Sequence, residues 1–365
     1  MKKELIVFLF ICPLVFLYVF SNSMKLRRVE RNTPLTLQHP FEALQGSKTN
    51  DWDYIQTKGD FEDLEYFKTL YDKNQHFQFS LSPIFKIPKT VHLIWLGPNP
   101  FPSGSVENVR TWMAHHPDWT FVFWTDRKRL SPCRGMEVRY VQDFNFEFLK
   151  EKFEESKNWG EKSDIWRYEI LYREGGVYID HDAVCLRPFH GLHTGYDFYA
   201  CLEMPHEEIE KAALTAGIGI IGARPHHPVL KETIQIVLNR WDEVTTAFSS
   251  TDPLSEARRV AHRSYIALTY AFKKGLNRPE NTDIIFPACY FYPKHGLPGF
   301  YSEHLYGTSW HNLHETTNEK HFSEALRILR NRDVKIIRIE FLCLFAMIGC
   351  FILYFLINKE IKRHK

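Results

Sequence analysis

Charge of one sign is what this 365-residue sequence lacks: 46 Lys and Arg stand against 44 Asp and Glu, for a net charge of +2. That balance gives no reason to expect a polyanion such as nucleic acid as partner. Internal repeats and low-complexity tracts are absent, which excludes solenoid and fibrous architectures. The seven cysteines show no metal-ligand spacing. Cys12, Cys343 and Cys350 fall in apolar end segments, and Cys133, Cys185, Cys201 and Cys289 are scattered. The scattered four read as isolated core thiols rather than a disulfide framework, and they leave the compartment open. A dinucleotide fingerprint is missing too, since GIGIIGA at 217–223 fits G-x-G-x-x-G only loosely. Apolar residues are plentiful, at 44% hydrophobic and 15% aromatic, enough for one domain with a sizeable core.

Both ends are apolar. Residues 5–20 are uncharged, with Lys2 and Lys3 before and Lys25, Arg27 and Arg28 after. With 21–24 the run reaches the ~20 residues that span a bilayer. No small-x-small cleavage site follows Phe20, so an uncleaved anchor is expected over residues 1–24 rather than a signal peptide. Residues 341–358 form a second uncharged run, flanked by Arg338 and by Lys359, Lys362, Arg363 and Lys365. The expected organisation is therefore an anchor at 1–24, a polar stem at 25–80, a catalytic domain at 81–316, a juxtamembrane segment at 317–340, a second transmembrane helix at 341–358 and a basic tail at 359–365. Flanking charges do not decide the orientation. The Lys362-Arg363 ending is similar to a dibasic retrieval signal. It suggests an endomembrane location, the Golgi in a eukaryote, with a lumenal catalytic domain.

Between the ends, periodicity alternates between strand and helix, the mark of an α/β fold. Helical spacing occupies 61–71, 105–115 and 254–274. Strand-like runs occupy 90–96, 119–124, 196–202, 217–223 and 283–292. Residues 144–157 show a solvated helical face and no chemistry. Alternate glycines within 217–223 imply close backbone approach to another element or a ligand.

The centre of the chain is 160–189. Ser163 is placed as a helix N-cap, with Asp164 in the first turn, where the helix dipole favours a negative charge. Gly175-Gly176 supply the stop. Val177 to Ile179 make a short buried strand that delivers Asp180-His181-Asp182 to its C-terminal end, where open α/β sheets bind ligands. An extended backbone would point both carboxylates the same way. Held together at neutral pH they need a cation, and oxygen ligands suit Mg2+ or Mn2+, ions that also suit a diphosphate. Asp164 and Arg167 share a helix face and could look toward the same place. By itself a D-x-D fits an internal ion pair and a solvated turn better than a metal site.

The motifs together are more specific. S-D-x-x-R-Y at 163–168 followed by L-Y-x-x-G-G-V-Y-I-D-x-D at 171–182 resembles the DXD segment of glycosyltransferase family 32. I-P-K-x-x-H-x-I-W-x-G at 87–97 and H-P-D-W-x-F-x-F-W-T-D at 116–126 resemble that family's first two strands, and EHLYGTSWH at 303–311 its closing segment. The resemblance implies a GT-A-like, Rossmann-type domain that takes a nucleotide-sugar donor with Mn2+ or Mg2+. It implies Asp180, Asp182 and Arg167 as catalytic residues, with Asp180, Asp182 and His304 around the metal. Trp95 beside the base, Asp164, Arg167, Tyr178 and Asp180 at the donor, and Ser309 and Trp310 closing over it complete the implied set. His262-Arg263-Ser264-Tyr265 departs from a T-G-P segment usual in the family, which puts acceptor contacts in doubt. Anchors at both ends make the chain most similar to the branch that moves mannose from GDP-mannose to inositol phosphoceramide. A membrane lipid or glycan acceptor is therefore expected, with retention at the sugar. A galactosyl- or N-acetylglucosaminyltransferase using a UDP-sugar is the alternative. More distant readings are an aspartate-nucleophile phosphatase, with Asp180 as nucleophile, and an inactive relative.

Overall fold

The β-branched and aromatic runs assemble into a seven-stranded sheet in a computed structural model that describes residues 35–206, 213–250, 253–276 and 278–307. The strands are β1 (Thr90–Trp95), β2 (Thr120–Thr125), β3 (Glu137–Tyr140), β4 (Gly176–Ile179), β6 (Phe198–Leu202), β7 (Ala216–Ala223) and β8 (Asp283–Phe286). A separate pair, β5 (Ala183–Cys185) with β9 (Ser302–His304), is antiparallel. In the large sheet the order is β3-β2-β1-β4-β7-β6-β8. Every strand runs the same way except β7, which is antiparallel to both neighbours. The result is a mixed α/β unit whose sheet is mostly parallel. Strands buried on both faces read as continuous apolar runs, as β4 and β6 do.

The chain divides into two units by contact, Met1–Ser249 with Arg258–Gly307, and Ser250–Ala257 with Thr308–Lys365. All nine strands among the described residues belong to the first. Within the second, residues 253–257 are helical. Helices Lys58–Asn74, Ser105–His115, Trp159–Glu174, Pro228–Ala247 and Tyr265–Gly275 belong to the first unit, and they bury Phe67, Trp112, Trp166, Leu230 and Leu268 respectively. Of the segment read as a stem, Phe41–Leu44 is a short helix with both of those residues buried. Gln45 ties it down, donating to the Glu203 carbonyl at 2.6 Å and accepting from the Ala288 N–H at 2.8 Å.

Several expectations need correction. The central helix begins at Trp159, four residues before Ser163, because Asn158 caps it by accepting from the Glu161 N–H at 3.0 Å. The expected helix over 254–274 is two, broken at Ser264, whose backbone (φ −117°, ψ −106°) leaves the helical region. Only Lys150–Glu155 of 144–157 is helical, since the buried Glu169 carboxylate captures the N–H groups of Glu147, Phe148 and Leu149. The strand at 283 stops at Phe286, before Pro287, which has no N–H for the ladder. Cys133, Cys185, Cys201 and Cys289 are buried free thiols, as expected.

The two transmembrane helices and the membrane placement built on them are also corrected. Among the described residues no helix is long and apolar enough to cross a membrane. The stretches 1–24 and 341–358 themselves lie outside the described residues.

Candidate active site

The Trp159–Glu174 helix ends where Gly175 (φ +66°) and Gly176 (φ +100°) adopt left-handed backbone, which lets the chain turn directly into β4. A side chain at 176 would strike the Thr90 carbonyl of β1, 2.5 Å from its Cβ. At the far end of β4 the Asp180 N–H continues the ladder to the Gly219 carbonyl at 2.7 Å. The chain then turns, with the Ala183 N–H donating to the Asp180 carbonyl at 3.2 Å. The D-x-D therefore sits in a turn, not in the extended backbone expected. The turn swings both carboxylates toward β9.

There His304 meets them. Its Nε2 lies 3.5 Å from Asp180 Oδ2 and 3.3 Å from Asp182 Oδ1. The Tyr306 N–H donates to Nδ1 at 3.2 Å, so the tautomer that satisfies the ring carries its hydrogen on Nε2, between the carboxylates. Asp182 is clamped by the strap that follows β9: its Oδ2 accepts the Gly307 N–H at 2.5 Å, and its carbonyl accepts the Leu305 N–H at 2.9 Å. Asp180 is held from the other side by the Tyr178 hydroxyl at 2.7 Å and by Arg167 Nη1 at 3.4 Å.

Arg167 is 3% exposed and fully committed. It pairs with Asp164, donates to the Ile218 carbonyl at 2.7 Å, and lies 4.0 Å from the centroid of the Tyr178 ring. Two carboxylates, Asp164 and Asp180, thus share one guanidinium, and Asp182 faces His304 instead. The electrostatics follow. Burial pushes Asp180 up, but Arg167 and the hydrogen bonds from His304 and Tyr178 outweigh it and hold the carboxyl well below its usual range. Burial opposes the charged form of His304, yet Asp180 and Asp182 together raise it above an ordinary histidine. Burial pushes Asp164 up to about 7, with Asp180 adding to the effect and Arg167 opposing it.

Trp95, at the end of β1, stands edge-on to His181 at 5.2 Å and to Phe101 at 5.6 Å, and its Nε1 donates to the Asn99 carbonyl at 2.9 Å. It is therefore next to the D-H-D turn. Ser309 and Trp310 lie outside the described residues. Two contributors escaped the sequence reading. Gly219 on β7 lies against the site: a Cβ there would come within 2.8 Å of Asp180 Oδ2 and 3.0 Å of His304. The alternate glycines had pointed to such an approach without saying to what. Ser264, at the break between two helices, donates to the Val260 carbonyl at 2.6 Å and helps oppose the rise of Asp164, and it had no signal beyond its departure from a family motif.

Asp180, Asp182 and His304 each offer one ligand atom, and these lie within 4.8 Å of one another. Ligands around a sphere of ~2.1 Å radius sit roughly 3–4 Å apart, so the spacing of the set fits a small divalent ion.

Residues 102–199, which contain Asp164, Arg167, Asp180 and Asp182, match the family model described as the glycosyltransferase sugar-binding region containing the DXD motif. That stretch is similar to a glycosyltransferase DXD region. Over 233 residues the chain is 28% identical to inositol phosphoceramide mannosyltransferase 1 of Schizosaccharomyces pombe, covering 62% of the chain and 63% of that relative. It is 26% identical to mannosyl phosphorylinositol ceramide synthase CSH1 of Saccharomyces cerevisiae, over 68% of the chain and 58% of the relative. The chain thus spans less than two thirds of the length of these relatives. Among solved structures, PaToxG glycosyltransferase aligns over 60% of the chain and 81% of its own, at 15% identity and a TM-score of 0.39.

Proposed function

We propose that this protein is a metal-dependent hexosyltransferase that moves mannose from GDP-mannose, with retention, to a phosphoinositol-containing sphingolipid such as inositol phosphoceramide. The relatives' names supply the sugar and the acceptor class. The observation that supports the chemistry is the excess of carboxylate over guanidinium at the end of β4, gathered on His304.

In this reading Asp180, Asp182 and His304 would hold Mn2+ or Mg2+. When bound, the ion neutralises charge on the departing diphosphate, where negative charge grows in the transition state. The rest is done by the chain's own groups. Arg167, locked by Asp164, Tyr178 and the Ile218 carbonyl, presents a fixed positive charge beside the phosphates without reorganising. Asp164 contributes an acceptor for sugar hydroxyls. Trp95 offers an aromatic face to the base.

The test is a screen of GDP-mannose, UDP-galactose, UDP-glucose and UDP-N-acetylglucosamine for Mn2+-dependent hydrolysis and transfer. Turnover of GDP-mannose supports the reading. Turnover confined to a UDP-sugar replaces the donor, and hydrolysis of simple phosphate esters with no nucleotide sugar consumed removes the transferase.

A further inference from the structure

Beyond Asp180, on the side away from Trp95, lies a second group of charged side chains. Strand β6 runs the same way as β4, so Glu203, the residue after β6, emerges at the same edge of the sheet as Asp180, with β7 between them. Its Oε2 lies 4.0 Å from Lys294 Nζ. Lys294 Nζ in turn lies 4.2 Å from the centroid of the Tyr306 ring, and that ring is 4.8 Å from His304. The group is therefore continuous with the metal triad. Trp95, Asp180 and Glu203 mark the ends of β1, β4 and β6 in that order along the edge.

That order has a chemical meaning. A nucleotide sugar laid along the edge with its base at Trp95 and its diphosphate at Asp180 points its sugar toward β7 and β6. Whatever receives the sugar approaches there. Lys294 is 30% exposed, and its carboxylate partner is at the outer limit of ion pairing, so the ammonium keeps donors for another acceptor. An ammonium on an aromatic face next to a carboxylate pairs an anion-binding group with a hydroxyl-binding one.

We propose that Lys294 and Glu203 form the acceptor subsite and that its ligand class is a polyol bearing a phosphate, the ammonium receiving the phosphate and the carboxylate accepting from polyol hydroxyls. The assignment rests on the transferase reading for its orientation, but it is tested without turnover. Calorimetry on the full chain with GDP and Mn2+ present compares myo-inositol 1-phosphate, myo-inositol and inorganic phosphate. The phosphorylated polyol should bind at least tenfold more tightly than either of the others. Lys294→Ala should erase that margin and Lys294→Arg should keep most of it, whereas Glu203→Gln should weaken both polyols alike. Equal binding of the two polyols to the unmodified chain, phosphate alone binding as tightly as the phosphorylated polyol, or a margin that survives Lys294→Ala each overturns the proposal. Failure of every nucleotide sugar to turn over would instead strike the transferase reading, leaving these binding ratios as a separate result.

Discussion

Two buried charge clusters hang on the same helix, three residues apart, and they are built to opposite rules. Glu161, in the first turn of Trp159–Glu174, pairs with Arg263 at 3.1 Å, and both side chains are about 5% exposed. Ser156 adds a hydroxyl to Glu161, while Arg263 donates to the Trp241 carbonyl at 3.0 Å and stacks 3.6 Å from that ring. One acid meets one base and the neighbours take most of the remaining bonds, Arg263 Nε excepted. Asp164 belongs to the other kind, in which Arg167 is shared between Asp164 and Asp180, and Asp182 has no guanidinium at all among the described residues. The balanced cluster is fastening. The unbalanced one keeps negative charge that a divalent ion can neutralise.

Breaking each cluster should therefore give different losses. Asp182→Asn should cut Mn2+-dependent turnover about 10³-fold, roughly 4 kcal/mol of barrier, while the melting temperature holds or rises as repulsion is relieved. Retained turnover would remove the ion from the account. Arg263→Met should do the reverse: about 3 kcal/mol of stability lost in urea unfolding, because Glu161 is left buried and unpaired, with the half-saturating Mn2+ concentration unmoved. Restoring much of that loss with a second change, Glu161→Met, would show that the pair serves no chemistry.

A third buried arrangement sharpens the contrast because it works only when uncharged. His92 accepts from Trp124 Nε1 at 3.1 Å and lies 2.9 Å from the Gly175 carbonyl, and burial lowers its pKa to about 4. His116 is likewise lowered to about 4, again chiefly by burial. A histidine whose folded pKa is depressed contributes stability that is complete above the unfolded pKa of ~6.5 and is lost as pH falls toward the folded value. Between pH 7 and 5 each should take away about 2 kcal/mol, read as a falling urea midpoint. A flat midpoint over that window would place the rings in water.

The smallest effect concerns an atom that is missing by design. Gly219→Ala puts a methyl 2.8 Å from Asp180 Oδ2 and against His304, so the half-saturating Mn2+ concentration should rise about tenfold, worth roughly 1.4 kcal/mol. An unchanged Mn2+ curve would mean that β7 shifts to make room.

The comparison also separates what was legible in the sequence from what was not. Asp164, Arg167, Asp180 and Asp182 could be read because one helix, one glycine pair and one strand carry them within nineteen residues of chain. His304 was legible only through a family segment, and its partner distance came from the antiparallel pairing of β9 with β5. Nothing local foretold that β7 would insert between β4 and β6, which is what brings Gly219 under Asp180 and Ile218 to Arg167. The helix start was misplaced for a similar reason. Ser163 reads as a cap, but Glu161 is fixed by Arg263, 102 residues further on, and the helix extends back to meet it. Strand order and long-range pairing are properties of the packed sheet, and local periodicity does not contain them.

Calorimetric titration of Mn2+ into the full chain with GDP present tests the central claim most directly. The account predicts about one ion per chain, abolished by Asp182→Asn and untouched by Arg263→Met. No binding to the unmodified chain, or binding that Asp182→Asn leaves intact, would contradict it.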